Sequence, residues 1–274
     1  MKKIGVTTEG AADLKQDLIE RYNIGIVDFK TGTSVKNIFK EMRETQKPIK
    51  TSQPSIAQYL QLFKKKLEEF EEIIHIATSA RVSGAFNSAM QARKFLGGNS
   101  ERVHILDSEK SSAAQGLLVL KAQQDILKGF DLKQIIDNFN KRVKQTFVFF
   151  MYDDPKWLKA GGRYPKIVQI GLQKIKDFNM GIVMREKQGV IKPVAFKRNI
   201  QNIVDSLFEE FKKFVGDKKT NVVITHGDNK GIAEKLRQKL KELENIKILY
   251  TELLDTALGA HIGPDALILS FDYE

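Results

Sequence analysis

Short apolar runs alternate with stretches of helical spacing through the first half of the chain. Ile4, Gly5 and Val6 begin a strand, residues 14–22 mix polar and apolar positions as a helix does, and 24–29 return to a strand-like run. A second helical stretch covers 38–43. After Pro54, the residues Ile56, Tyr59, Leu60, Phe63 and Leu67 share one helical face within 55–70, and 73–77 is an unbroken apolar run suited to a buried parallel strand. Residues 85–95 then read as helix, 103–106 as strand and 113–128 as helix. Repeated β-α units of this kind predict an α/β domain built on a mostly parallel sheet with helices on both faces.

The second half has a different rhythm. Runs at 181–185 and 190–195 flank the turn-like Glu186, Lys187, Gln188 and Gly189, so they predict a hairpin and at least one antiparallel pair. Two further β-α stretches follow, with strands at 222–225 and 246–250, and an apolar run closes the chain at 266–271. This pattern predicts an α+β domain with antiparallel strands. At 274 residues the chain reaches the size where a single core stops growing. Two domains are therefore expected, 1–157 and 158–274, with 255–266 lining a site between them.

Composition narrows the class. No window approaches the roughly 18 uninterrupted apolar residues of a membrane span. The N-terminus enters a strand pattern at once, without the longer apolar stretch and cleavage site of a secretory signal, so a soluble, cytoplasmic protein is expected. With no cysteine and four scattered histidines, neither a metal nor another cofactor is expected. The 45 Lys and Arg against 34 Asp and Glu give a formal charge of +11, which favours anionic partners at long range. Yet Lys64, Lys65, Lys66 and the lysines of 235–241 are interleaved with glutamates on what read as solvated helix faces. The remaining excess would suit transient contact with an anionic membrane surface or an acidic protein; no nucleic-acid-binding module is recognisable.

Candidate chemistry gathers in hydroxyl-rich loops. Thr51, Ser52, Gln53, Pro54 and Ser55 lie just before a helix, where a serine caps the first turn or its hydroxyl joins free N–H groups in holding an anion. The same grammar follows the strand at 73–77, where Ser83 and Gly84 offer a hydroxyl and unhindered backbone at the carboxyl end of a parallel strand. A third such loop, 107–112, follows the next strand. His261 stands between Gly259 and Gly263 in what reads as a loop, either structural or placed for close approach to a ligand. Arg163, after Gly161 and Gly162, either clamps an anion or fixes a domain hinge. There is no Walker sequence, no Gly-x-Gly-x-x-Gly after a strand and no nucleophile elbow.

Taken in order, these loops resemble the DegV family. The likeness rests on Ala12-Asp13-Leu14, Thr51 to Ser55, Ser79 through Ser83-Gly84 to Asn87-Ser88-Ala89, and Asp107-Ser108. It continues through Leu158 to Gly161-Gly162-Arg163, Lys192-Pro193, Arg198, His226-Gly227, and His261 to Gly263-Pro264. The resemblance implies two α/β lobes with a long-chain fatty acid between them, its carboxylate held by Thr51, Ser83 and His261 beside Ser52, Gly84 and Gly263. Arg163 would lie near the head group or a partner surface. It further implies a non-catalytic acyl carrier whose bound carboxylate is phosphorylated by a separate ATP-using fatty acid kinase. The alternatives are a lipid or acyl-ester hydrolase using Ser83 and His261, or a binder of another small anion. Two departures stand out: the family's Thr-Asp-Ser run appears as Thr8-Glu9-Gly10, and Asp265 replaces a usual glycine.

Overall fold

The computed structural model describes residues 2–32, 37–161, 181–187, 190–197 and 200–274. Its first sheet is held together by strands that are apolar on both faces. In β5 (Phe70–Ala77), Ile73 and His75 point one way and Ile74 and Ile76 the other, and all four are buried. Helices α3 (Ile56–Leu67) and α4 (Ala85–Lys94) cover the Ile73 face with Tyr59, Phe63, Ala85 and Ala89. Helices α5 (Ser112–Leu127) and α6 (Leu132–Val143) cover the Ile74 face with Leu118, Val119, Ile135 and Phe139. Strand order is β2 (Gly25–Val27), β1 (Lys2–Glu9), β5, β6 (Val103–Asp107), with every pair parallel. The doubly covered parallel sheet is the one that the alternating pattern predicts.

The second sheet runs β11 (Ile246–Leu253), β10 (Thr220–His226), β12 (Leu267–Tyr273), β7 (Thr146–Tyr152), β8 (Gly181–Lys187), β9 (Val190–Lys197). β10 and β11 pair in parallel and the rest antiparallel, as the α+β reading expects. One face meets α8 (Ile200–Val215) and α9 (Lys230–Lys241) through Phe149, Met151, Val222 and Phe271 against Leu207, Phe211 and Leu236. The opposite face turns Val148, Phe150, Tyr152 and Ile268 toward the first lobe. Of the expected hairpin turn, Gln188 and Gly189 lie outside the described residues.

Several elements lie outside the expected set, α6 and β7 among them. α6 begins at a reciprocal cap between Asp131 and Gln134, and β7 is the continuous apolar run Thr146 to Tyr152. β7 pairs with β12 and β8, so the change of sheet falls between Val143 and Thr146, ahead of the expected division at residue 157. An unbroken apolar run says that a strand is buried, not which sheet buries it.

α5 joins the lobes. Leu118 and Val119 pack on the first sheet, Ala113 and Leu117 on Val223 and Tyr250 of the second, and Ala114 joins the cluster around Phe150. A helix apolar on nearly every side belongs between two layers. A strap also crosses from the first lobe: β3 (Lys30–Thr31) and β4 (Thr51–Ser52) form a two-stranded ribbon, with α2 (Ile38–Thr45) between them. Ile38, Phe39 and Met42 are buried against the second lobe, each gaining about 1.5–3 kcal/mol of gross apolar transfer. Arg43 fastens the strap through Asp228 Oδ2 (2.9 Å), Asp265 Oδ1 (3.1 Å) and the Pro264 carbonyl (3.2 Å).

Gly116 tests the docking of α5. A Cβ there would lie 2.5 Å from the Ala12 carbonyl oxygen, a backbone atom that cannot swing aside. Helix propensity alone would favour Gly116→Ala by about 1 kcal/mol, whereas overpacking costs roughly 1–3 kcal/mol. Urea denaturation is expected to show a net loss of stability. A midpoint equal to or above wild type would mean that α5 does not sit against this turn.

Candidate ligand-binding site

The carboxyl ends of the first sheet's strands meet the strap and one short helix of the second lobe. After β5, the backbone N–H of Ser79 donates to the Lys110 carbonyl (2.8 Å), and the Val82 and Ser83 N–H groups both donate to the Ser79 carbonyl at 3.1 Å. This tight turn presents Ser83, whose Oγ accepts from the Ala85 N–H at 3.1 Å at the start of α4. Accepting one bond leaves the hydroxyl proton available to donate. Gly84 also makes room for a neighbouring side chain: a Cβ there would fall on the Gln53 amide, whose Nε2 donates to Ser88 Oγ (2.9 Å). Ser55, not Ser52, caps α3, in a reciprocal box with Gln58.

His261 requires a correction. It lies in a helix, α10 (Thr256–Ile262), not in the expected loop. The Asp255 carboxylate accepts from the Ala257 and Leu258 N–H groups at 2.9 and 3.4 Å, giving α10 a start. Gly259 gives the Phe39 ring its seat, and Gly263, with φ +98°, ends the helix under the Trp157 ring of α7 (Pro155–Gly161). The glycines that made a loop plausible are where neighbouring aromatic rings press against the helix.

Thr51 and His261 meet: Thr51 Oγ1 lies 2.7 Å from His261 Nε2 across 210 positions of sequence. Both line a cavity of about 850 Å³, including its mouth to solvent, together with Ser83, Gly84, Gln53, Thr78 and Ser111. The rest of its wall is apolar: Ala11, Phe29 and Val82 from the first lobe, Phe150, Tyr152, Ile191, Ala257, Leu258 and Ile262 from the second. Ser52 is exposed and, like Gly263, is outside the wall. Arg163 and Arg198 lie outside the described residues.

Sequence reasoning passed over Glu9, the acidic member of the departing Thr8-Glu9-Gly10 run. It is fully buried at the end of β1. Its Oε1 accepts from Tyr59 Oη (2.7 Å) and faces His75 Nε2 (3.1 Å), while Oε2 accepts from the Thr78 N–H (2.9 Å) and Gln115 Nε2 (2.7 Å). Burial pushes its pKa up, but the His75, Tyr59 and Thr78 partners outweigh that and hold it below the ordinary carboxylate range. Because Thr78 lines the cavity, this network fixes part of the floor. The other departure, Asp265, is neutralised by Arg43 and accepts from Asn229 Nδ2 at 2.8 Å.

Comparison with known proteins places this two-lobed architecture. Residues 3–274 match a family model described as uncharacterised protein, DegV family. The chain belongs to the DegV family. A DegV domain-containing protein of Caldanaerobacter subterraneus subsp. tengcongensis is 25% identical over 287 residues, covering 99% of each chain. A DegV family protein of Thermus thermophilus described for its fatty acid binding has a TM-score of 0.89 at 22% identity, over 99% of this chain and 100% of that one. A DegV family protein of Eubacterium eligens loaded with heptadecanoic acid has a TM-score of 0.81 at 17% identity, over 99% and 100% respectively. At these identities the two structures establish a shared fold.

Asp13 ties α10 to the first lobe. Its Oδ1 accepts from the Asp255 N–H (2.7 Å), its Oδ2 from Ser112 Oγ (2.6 Å), and Ser112 Oγ lies 3.1 Å from Thr225 Oγ1. Burial, with Asp255 and Glu252 nearby, pushes the Asp13 pKa up to about 8 from an ordinary 3.8. The folded state then holds a proton that the unfolded chain releases near pH 4, so this group's contribution falls as pH rises through about 8. Asp13→Asn keeps one acceptor and supplies one donor without titrating. Its stability relative to wild type should improve from pH 4 to 8 and level off above, read from urea midpoints. A constant difference across that range would contradict a protonated Asp13.

Proposed function

We propose that the chain binds one long-chain fatty acid between its lobes, holding the carboxylate with Thr51, Ser83 and His261 and burying the tail against Phe150, Tyr152, Ile191 and Ile262. The observation that carries this reading is the convergence of Thr51 and His261, 2.7 Å apart, on a cavity whose wall is otherwise largely apolar. Relatives of the same fold support it, since one is loaded with heptadecanoic acid and another is described as fatty acid binding.

The magnitudes agree. A chain of about sixteen carbons contributes roughly 0.8 kcal/mol per methylene, about 12 kcal/mol gross before entropy losses. Desolvating the carboxylate costs several kcal/mol, and each charge-assisted hydrogen bond returns about 1.5–3 kcal/mol. Two hydroxyls and an imidazole roughly balance that cost. They also leave a carboxylate oxygen accessible, which suits presentation to a separate ATP-using kinase for acyl-phosphate formation; the chain itself then carries and does not catalyse. A hydrolase would need His261 to take the Ser83 proton. His261 Nε2 is instead engaged with Thr51.

Mass spectrometry of an organic extract of the purified protein is expected to show stoichiometric long-chain fatty acid. Thr51→Ala, Ser83→Ala and His261→Ala should each weaken its retention about ten- to hundredfold, the equivalent of one charge-assisted bond. No fatty acid in the wild-type extract would sink the reading. Ester turnover that depends on Ser83 would replace it with the hydrolase.

A further inference from the structure

Two opposite charges are buried against each other where the lobes meet. Lys110, in the turn between β6 and α5, places Nζ 3.1 Å from Glu186 Oε2 and 3.2 Å from Oε1 on β8. The side chains are 5% and 4% exposed. Desolvation offsets much of such a pair's attraction, so its position is more informative than its strength.

That position borders the cavity. Ser111, next to Lys110, lines the wall, and so does Ile191, the cross-strand partner of Glu186. Partners directly opposite share a face of the sheet. Glu186 also shares its face with Met184, which pairs with Phe150, another wall residue. Tyr152 marks the wall's α10 end, because β7 leads from it into α7, whose Trp157 ring covers Gly263 at the close of α10. Phe150 is one pleat further from α10, and Glu186 lies one pleat beyond the level of Phe150 and Met184. The ion pair stands at the end of the described wall away from His261.

We propose that the Lys110–Glu186 pair is the end stop of the cavity and sets the acyl length it accepts, an inference that rests on the fatty-acid reading. A chain anchored at Thr51, Ser83 and His261 runs along Phe150 and Ile191 and brings its methyl end to the pair. Two further methylenes would have to part the ammonium from its carboxylate and leave a buried charge uncompensated. An apolar side chain in the same place could change rotamer for a longer guest. Two mutually held charges give a sharper limit.

The test is displacement of labelled hexadecanoate by saturated acids from tetradecanoate to docosanoate, for wild type and for Lys110→Met/Glu186→Leu, which removes both charges together. Wild-type affinity should fall about tenfold or more past its longest accepted chain. The double variant should move that limit by at least one two-carbon step while keeping affinity for the shorter acids. A pair that merely fastened the lobes would weaken every length alike, and that result, an unmoved limit, or no limit in wild type overturns the end stop. Failure of wild type to bind any of these acids would instead overturn the fatty-acid reading. Should the double variant not fold, the wild type decides: nuclear Overhauser contacts from a ¹³C-labelled terminal methyl to the Lys110 side chain support the stop, and methyl contacts confined to the Tyr152 end exclude it.

Discussion

Helix α5 has almost no face to give to water, and both sheets are bound by that constraint. The first sheet covers Leu118 and Val119, the second covers Ala113 and Leu117, and Gly116 brings the turn at Ala12 into backbone contact. The loop that feeds α5 is pinned between the lobes as a consequence. Lys110 reaches Glu186, Ser112 reaches Asp13 and Thr225, and Ser111 is left facing the cavity. The cavity opens at the N-terminal end of this shared helix, beside Ser111, and is walled by residues of both lobes.

The polar groups around that space divide into two kinds. Glu9, Gln115, His75 and Tyr59 satisfy one another beneath the floor, as buried polar groups must. Thr51, Ser83 and His261 instead line the void itself. The strap supplies the first of these, and Arg43 holds the strap to the second lobe. Together with the buried Ile38, Phe39 and Met42, that arginine holds the strap that brings Thr51 to His261, and it engages Asp265 as well.

The first sheet was legible because its strands are short apolar runs between helices of regular spacing. Thr51, Ser83, Gly84 and His261 were legible as loop chemistry, and all four line the cavity. The causes were less legible. α10 owes its existence to the Asp255 cap and the seating of Phe39 on Gly259, contacts between segments far apart in sequence that local spacing cannot encode. Gly84 reads as a backbone site yet makes room for Gln53. Glu9 stood out in the sequence only as a departure from the family's Thr-Asp-Ser run, and only the fold shows four partners converging on it. β7 announced burial but not its neighbours, since a run apolar on both sides fits the middle of any sheet.

The chain's +11 charge says little about this site. Locally, the seam between the lobes carries no cationic excess: Lys110 offsets Glu186, Arg43 faces both Asp228 and Asp265, and the Asp255 carboxylate caps α10. Long-range attraction of a carboxylate into such a seam is weak, and three hydrogen bonds do little more than repay its desolvation. Affinity must come from apolar area, which grows by roughly 0.8 kcal/mol with each methylene buried. Under the proposed reading, the polar cluster contributes orientation, deciding which end of the fatty acid faces the mouth, while the length of the apolar wall decides how strongly it is held.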